Sequence, residues 1–150
     1  MTVGVGDRAP HFTLPGTGGT FSLDDYLGRV VVVVFYPGDN TPVCTRQLNA
    51  YNDELAQFVD LGAQVLAISS QDVASHDAFS MQHGFGFPLL ADVEKRVAKA
   101  WGVLGPLGFL RRSVFVVDAA GVIRYAHRAL TGVTYRPVAE LVEAVRQAER

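Results

Sequence analysis

The sequence predicts an α/β fold in which helices cover both faces of a partly parallel central sheet. Val30 to Tyr36, with the sequence VVVVVFY, is a continuous β-branched and aromatic run, typical of a strand buried on both faces. Pro42 to Leu61 carries apolar residues at helical spacings, and the run QVLAIS from Gln64 to Ser69 predicts a second strand. Strand, helix and strand in this order form a βαβ unit, whose crossover makes the two strands parallel.

The rest of the chain continues the alternation of helices and strands. The predicted elements are a helix from Asp72 to His83, a strand from Phe87 to Leu90, a helix from Val93 to Trp101, a hairpin of strands Ser113 to Val117 and Val122 to His127, and a helix starting near Pro137. The GTGG stretch at Gly16 to Gly19 predicts a hairpin turn, and the glycine-interrupted stretch from Gly102 to Leu110 predicts a loop. A βαβ unit and a ββα unit with inserted helices, on a central mixed sheet, make the skeleton of a thioredoxin-like fold.

Composition and charge exclude several classes of function. A chain of 150 residues, 49% hydrophobic and 19% charged, suits one globular domain covering residues 1–150. The net charge is -2 and no Lys/Arg block is present, so we expect no nucleic-acid partner. No stretch approaches the roughly 18 apolar residues of a membrane span, and the N-terminal sequence lacks the pattern of a signal peptide. We therefore expect a cytoplasmic protein with no membrane partner.

Cys44 is the only cysteine in the chain. A single thiol excludes an internal disulfide and a cysteine-rich zinc site, and it favours a reducing compartment. If Thr41 is the N-cap and Pro42 the first residue of the helix, Cys44 falls in the first turn, where the helix dipole and unpaired amides favour a thiolate. Free cysteine is also among the most buried residue types, so a small buried hydrophobe and a reactive thiol both fit this placement.

The sequence around Cys44 carries a spaced motif. Pro37, Thr41 and Cys44 are arranged as P-x-x-x-T-x-x-C within the stretch FYPGDNTPVCTRQ. This motif resembles the signature of the peroxiredoxins, and the stretch is similar to the branch called bacterioferritin comigratory protein or PrxQ. The resemblance extends to GDRAPHFTLPGTGG near the start, to LLADVEKRVAKAWGV, and to RRSVFVVDAAG in the closing hairpin. The active-site arginine of the family lies three residues before the strand phenylalanine, which is Arg112 here.

The resemblance implies a role for each of four residues. Cys44 would be the peroxidatic nucleophile, and Arg112 would hold its thiolate and stabilise charge as the O–O bond breaks. Thr41 would hydrogen-bond the sulfur or the peroxide, and Pro37 would shield the pocket from water. Thr41 and Pro37 also fit simpler roles as a helix cap and a strand end. Because adjacent strand residues face opposite sides, only one of Arg111 and Arg112 can face Cys44, and we favour Arg112.

The chain departs from this branch in lacking a resolving cysteine. Asn49 occupies one of the two usual positions, and the predicted helix from Asp72 to His83 contains no cysteine. We therefore expect a one-cysteine peroxiredoxin without a cofactor. Its sulfenic acid would be reduced by an external thiol, whether thioredoxin, a glutaredoxin-like protein or a low-molecular-weight thiol. A monomer or a weak homodimer is expected.

Two other functions compete with a thiol peroxidase that reduces hydrogen peroxide and small organic hydroperoxides. One is a non-catalytic thioredoxin-like redox sensor or binding module, and the other is a cysteine hydrolase that pairs Cys44 with an imidazole such as His127.

The remaining polar and apolar features predict no further site. Gln47, one turn beyond Cys44, fits either an assisting role on the same helix face or a solvated position, and we favour the solvated position. We expect His76 and His83 to share a solvated helix face rather than bind a metal. We expect Trp101 to lie in the core, where a position near Arg112 would make it a useful reporter. The apolar loop from Gly102 to Leu110 fits either a lid or a dimer contact.

Overall fold

A computed structural model of the chain describes residues 3–129 and 134–149. The strands of this part are β1 (Thr13–Gly16), β2 (Gly19–Ser22), β3 (Val31–Phe35), β4 (Gln64–Ser69), β5 (Leu89–Ala91), β6 (Ser113–Val117) and β7 (Ile123–Arg128). The α-helices are α1 (Pro42–Asp53), α2 (Leu55–Asp60), α3 (Val73–His83), α4 (Arg96–Ala100) and α5 (Val138–Ala148). Two short 3₁₀ helices, Leu23–Tyr26 and Pro106–Gly108, lie in connections. In the part of the chain that is described, no helix is both long and apolar enough to cross a membrane.

The strands form one mixed sheet in the order β2-β1-β5-β4-β3-β6-β7. Strands β3, β4 and β5 are parallel, and the other pairings are antiparallel. The predicted βαβ unit is confirmed, because Val31 pairs with Gln64 and Phe35 with Ile68 in a parallel ladder. Both predicted hairpins, β1–β2 and β6–β7, are also present. The mixed sheet with helices on both faces confirms the thioredoxin-like fold.

The central strand β3 is buried along its whole length, as its apolar run predicts. Its side chains alternate between two cores, because successive residues of a strand point to opposite faces. We call these cores the α1 face and the α4 face. The α1 face includes Val32, Val34, Tyr36, Cys44, Leu48, Tyr51, Leu141 and Val145. The α4 face includes Val31, Val33, Phe35, Val97, Trp101 and Phe115.

Two predicted helices are shorter than expected. The predicted helix from Pro42 to Leu61 is divided at Glu54, whose φ of -108° and ψ of 16° separate α1 from α2. The helix predicted from Val93 begins only at Arg96, because Lys95 adopts a left-handed conformation with φ of 61°. Buried Asp92 then accepts hydrogen bonds from the backbone amides of Val97 and Ala98, which fixes the first turn of α4.

Candidate active site

Cys44 lies in the first turn of α1, where β3 leads through a short loop into the helix. Thr41 is the N-cap in an extended conformation, and Pro42 opens the helix, as predicted. The Cys44 side chain is 0% exposed and its thiol is free. The thiol therefore lies under the helix start rather than on the surface.

The loop from Pro37 to Thr41 is tightly folded against neighbouring segments. Gly38 approaches Gln71 so closely that an added Cβ would lie 2.9 Å from the Gln71 Oε1 atom. The backbone amide of Asp39 donates a hydrogen bond to the same oxygen. Asn40 has a φ of 61°, a left-handed conformation that asparagine tolerates better than most residues. The path of the chain before Cys44 is thus set by contacts from outside the loop.

Thr41 is an exposed residue, and its hydroxyl does not cap α1. It donates a hydrogen bond to the backbone carbonyl of Gly38 at 3.3 Å. Within residues 3–129 and 134–149, no hydrogen bond joins it to the Cys44 thiol. In this state the hydroxyl stabilises the loop.

Arg112 immediately precedes β6 and is only 4% exposed. Its Nη1 atom donates a hydrogen bond of 2.5 Å to the Gln47 Oε1 atom on α1. Gln47 lies three residues after Cys44, so the two side chains share a helix face. This contact places the Arg112 guanidinium on the α1 face of the sheet.

Gln47 was expected in solvent, and that expectation is wrong. Its side chain is 0% exposed, because it connects Arg112 to the hydroxyl of Tyr51, to which Gln47 Nε2 donates at 3.0 Å. Burial raises the pKa of Tyr51 to about 12, although the Gln47 hydrogen bond and Arg112 act in the opposite direction. The signal in the sequence is the position of Gln47 between Cys44, Leu48 and Tyr51, which places it on the buried side of α1.

The side chain of Arg111 contacts a different part of the chain from that of Arg112. Its Nε atom donates to the backbone carbonyl of Ala129 at 2.6 Å, and the side chain is half-buried. Arg111 therefore joins the loop before β6 to the end of β7, whereas Arg112 reaches α1.

A surface groove of about 620 Å³ brings Pro37 and Arg112 together. Most of its lining comes from the loop from Gly102 to Leu110, which carries the exposed side chains of Leu107 and Phe109. A bridge between Leu104 and Leu110 closes this loop. The groove thus offers a partly apolar approach to a cationic side chain.

The expectation of a solvated helix face for His76 is also wrong. His76 is 0% exposed, and its two ring nitrogens face the Asp39 carboxylate and the backbone carbonyl of Leu90. His83, on the same helix, is only partly buried and packs edge-on against Phe79. In the described part of the chain, no cluster of His, Cys, Asp and Glu has the arrangement of a metal site.

Trp101 is a core residue, as predicted, but its indole packs on the other face of the sheet from the Arg112 guanidinium. It packs against Phe12, Phe35 and Phe115 on the α4 face, whereas Arg112 bonds to Gln47 on the α1 face. The sheet therefore separates the indole from the region of Cys44.

His127 is unsuited to the role of a base for Cys44. No hydrogen bond connects the two residues within 3–129 and 134–149. Burial and nearby Arg136 lower the pKa of His127. The cysteine hydrolase alternative therefore lacks its Cys–His pair.

Comparison with known proteins identifies the family of the chain. The model of the AhpC/TSA family matches residues 5–126. A putative peroxiredoxin bcp from Coxiella burnetii is 36% identical over 131 residues, which cover 82% of this chain and 87% of that protein. The chain belongs to the peroxiredoxins of the AhpC/TSA family. As its single cysteine implies, it is a peroxiredoxin of the one-cysteine type.

Other peroxiredoxins extend the comparison. Peroxiredoxin Q, chloroplastic, from Oryza sativa subsp. japonica is 43% identical over 128 residues, covering 83% of this chain and 59% of that protein. The chain thus spans about three fifths of the length of the chloroplastic relatives it matches. A crystal structure of a PrxQ mutant from Xylella fastidiosa superposes with a TM-score of 0.89 at 30% identity, covering 98% of both chains. Bacterioferritin comigratory protein from Xanthomonas campestris gives a TM-score of 0.84 at 31% identity, covering 92% of both.

Proposed function

We propose that this peroxiredoxin is a thiol-dependent peroxidase that reduces hydrogen peroxide and small organic hydroperoxides at Cys44. The observation that carries the proposal is the hydrogen bond between Arg112 and Gln47. It fixes a permanent cation against the helix face that carries the only thiol of the chain. A nucleophile in the first turn of a helix beside a fixed cation is the arrangement that nucleophilic displacement on an O–O bond requires.

The first half of the reaction oxidises Cys44. Its thiolate attacks the terminal oxygen of the peroxide, and the O–O bond breaks with its electron pair passing to the leaving oxygen. The leaving group takes up a proton and departs as water or an alcohol, while Cys44 becomes a sulfenic acid. Sulfur is oxidised by two electrons, and the peroxide is reduced by two.

Three residues assist this step in the proposal. Arg112 stabilises the thiolate and the negative charge that develops on the peroxide oxygens. Pro37, on the wall of the groove, limits water near the reacting atoms and so strengthens that interaction. Thr41 exchanges its bond to the Gly38 carbonyl for one to the incoming peroxide. The organic part of a hydroperoxide occupies the groove beside Leu107 and Phe109.

The second half of the reaction uses an external thiol. That thiol attacks the sulfenic sulfur of Cys44, water leaves and a mixed disulfide forms, and a second thiol then releases Cys44. Asn49, at one position of a resolving cysteine in the family, instead lies within 3.5 Å of the His83 Nδ1 atom. Because Cys44 is 0% exposed, the first turn of α1 has to move before a reductant can reach the sulfur.

The need for an external thiol suggests the reductant and the cellular compartment of the protein. Thioredoxin, a glutaredoxin-like protein or a low-molecular-weight thiol supplies the electrons, and the cytoplasm is the proposed compartment because it maintains such thiols. The protein acts as a monomer or a weak homodimer, in which the exposed Leu107 and Phe109 are available for a contact between copies.

Rapid mixing of the reduced protein with hydrogen peroxide, followed by intact-mass analysis, tests the proposal. We expect a gain of one oxygen that is absent in Cys44→Ser and far faster than oxidation of a free thiolate at equal ionisation. Repeated turnover with added thioredoxin or dithiothreitol then distinguishes an enzyme from a redox sensor. Oxidation at the rate of an ordinary thiol would contradict the proposal.

A further inference from the structure

A buried polar cluster lies beneath the loop that precedes Cys44. Its centre is the Asp39 carboxylate, which accepts hydrogen bonds from the Tyr36 hydroxyl at 2.7 Å and from the Ser75 hydroxyl at 2.7 Å. The His76 Nδ1 atom lies 2.8 Å from Asp39 Oδ2. Asp39, Tyr36 and His76 are all buried, and Asp39 and His76 both have fully buried side chains. The proposed peroxidase chemistry uses none of these four side chains.

The hydrogen-bond partners of His76 determine which of its ring nitrogens carry a hydrogen. Its Nε2 atom lies 3.0 Å from the backbone carbonyl of Leu90, which can only accept, so this nitrogen carries a hydrogen. Burial disfavours the charged form of Asp39, yet hydrogen bonds from His76, Tyr36 and Ser75 outweigh it and lower the pKa of the carboxyl. An ionised carboxylate accepts only, so the Nδ1 atom of His76 also carries a hydrogen.

We infer that His76 and Asp39 form a buried imidazolium–carboxylate pair and that His76 is the positioning residue which, through Asp39, holds the loop before Cys44 in its reactive shape. The inference rests on the proposed peroxidase function for its catalytic consequence. The pair itself and its effect on the loop do not depend on that function.

The placement of Asp39 explains how the pair acts on the site. Asp39 lies midway between Pro37 and Thr41, and its carboxylate joins the loop to α3 through Ser75 and His76. His76 in turn is joined to β5 through the Leu90 carbonyl. The loop is thus joined to α3 directly and to β5 through His76, and it can move only if the hydrogen bonds of this buried cluster are broken.

The charged and titratable groups around His76 are few. Asp39 faces it from the loop and the Tyr36 hydroxyl from the end of β3, at 3.3 Å from Nδ1. Burial and the neighbouring Asp39 raise the pKa of Tyr36 well above its usual value, so this hydroxyl stays protonated. Tyr36 and Cys44 also belong to the same buried core on the α1 face, which connects the cluster to the thiol. Of the contacts from β5 and α3 in the described residues, the Leu90 carbonyl and the Ser75 hydroxyl are uncharged.

Two substitutions of His76 separate its two hydrogen bonds. The amide nitrogen of asparagine stands two bonds from Cβ, as Nδ1 does, so His76→Asn keeps a donor for Asp39. The amide nitrogen of glutamine stands three bonds from Cβ, as Nε2 does, so His76→Gln keeps only the donor for Leu90. His83→Gln, on the same helix but away from Asp39, is the matched control.

Two quantities are measured for all variants. One is the rate of Cys44 oxidation by hydrogen peroxide, and the other is the hydrogen exchange of the amides of residues 38–41. We expect His76→Gln to slow oxidation by about 100-fold, the order of effect of a small misplacement of reacting groups, and to accelerate loop exchange. His76→Asn should keep most of the wild-type oxidation rate and most of the wild-type protection of the loop amides. His83→Gln should match the wild type in both measurements. Equal rates in the two His76 variants, or a wild-type rate in His76→Gln, would overturn the inference.

Nitrogen-15 NMR of the imidazole ring of wild-type His76 is a direct readout that requires no variant to fold. Two protonated ring nitrogens at pH 7 support the pair, and one unprotonated nitrogen overturns it. A wild type that fails to react with peroxide would contradict the peroxidase function, whereas loop exchange and ring protonation would still decide the inference.

Discussion

Arg112 and Gln47 are joined by a hydrogen bond of 2.5 Å between Nη1 and Oε1, and both side chains are buried. A neutral amide orients the guanidinium without neutralising its charge. This hydrogen bond therefore leaves the positive charge of Arg112 intact, as stabilisation of an anionic sulfur or of developing charge on a peroxide requires. The partner also stands three residues from Cys44, so the cation and the thiol are positioned by the same helix.

Loss of this amide should slow peroxide reduction. Gln47→Leu removes the acceptor for Arg112 and the donor for Tyr51, so the guanidinium loses its orientation. The leucine side chain is of similar size and still fills the space that Gln47 occupies. We expect oxidation of Cys44 to slow by roughly 10- to 100-fold, less than for loss of a donor that contacts the transition state. Gln57→Leu on the exposed side of α2 is the control, and an equal rate in both variants would argue against a role for Gln47.

Substitution of Arg112 and of Arg111 should have very different effects on the rate of peroxide reduction. Arg112→Ala removes the cation on the α1 face, and we expect the peroxide rate to fall by about 10²- to 10³-fold. Arg111→Ala removes a bond to the Ala129 carbonyl and should leave the rate near that of the wild type. Stopped-flow kinetics of both reduced variants, compared with their unfolding midpoints, separate a catalytic effect from a loss of folding. The reverse order of rates would show that Arg111 faces the thiol.

Local patterns predicted the frame of the site but not its buried polar contacts. The start of α1 follows from Thr41 and Pro42, and the buried strand β3 follows from its own apolar run. Gln47 and His76, by contrast, look like solvated helix residues until their partners are known. Those partners lie far along the chain, since 65 positions separate Gln47 from Arg112 and 37 separate Asp39 from His76. A polar helix residue is buried only when the fold supplies such a partner, and helical spacing shows the face on which the residue lies but not the partner itself.

Substitution of Trp101 should test the separation of the two cores. Trp101→Phe alters only the α4 face, and it also removes an indole Nε1 atom that is buried without a hydrogen-bond partner within residues 3–129 and 134–149. We expect the rate of Cys44 oxidation to be unchanged and the free energy of unfolding to fall by about 1 kcal/mol, because the smaller ring leaves a cavity while the unpaired donor is lost. Mass-spectrometric kinetics suit this variant, which lacks the only tryptophan. A large decrease in the rate of Cys44 oxidation would show that packing on the α4 face affects the reactivity of the thiol.

Acid should weaken the attachment of α5 to β7. Hydrogen bonds from Arg136 and Tyr125 lower the pKa of Glu140 to about 2, below the value of roughly 4.3 expected in the unfolded chain. A depressed folded-state pKa contributes stability that is fully present above the unfolded value and is lost as the pH falls towards about 2. Because Glu140 and Arg136 are partly exposed, we expect a contribution of only about 0.5–1 kcal/mol.

Thermal unfolding of the wild type and Glu140→Gln between pH 6 and pH 2 measures this contribution. The wild type should be the more stable above about pH 4.5, and its advantage should shrink as the carboxylate is protonated below that value. Glu143→Gln, one turn further along α5, is the control, because the contacts of Glu143 are longer: 3.7 Å to Arg146 and a hydrogen bond of 3.4 Å from Gln147. An advantage that persists unchanged down to pH 2 would mean that the Glu140 side chain stabilises the protein through packing rather than through its charge.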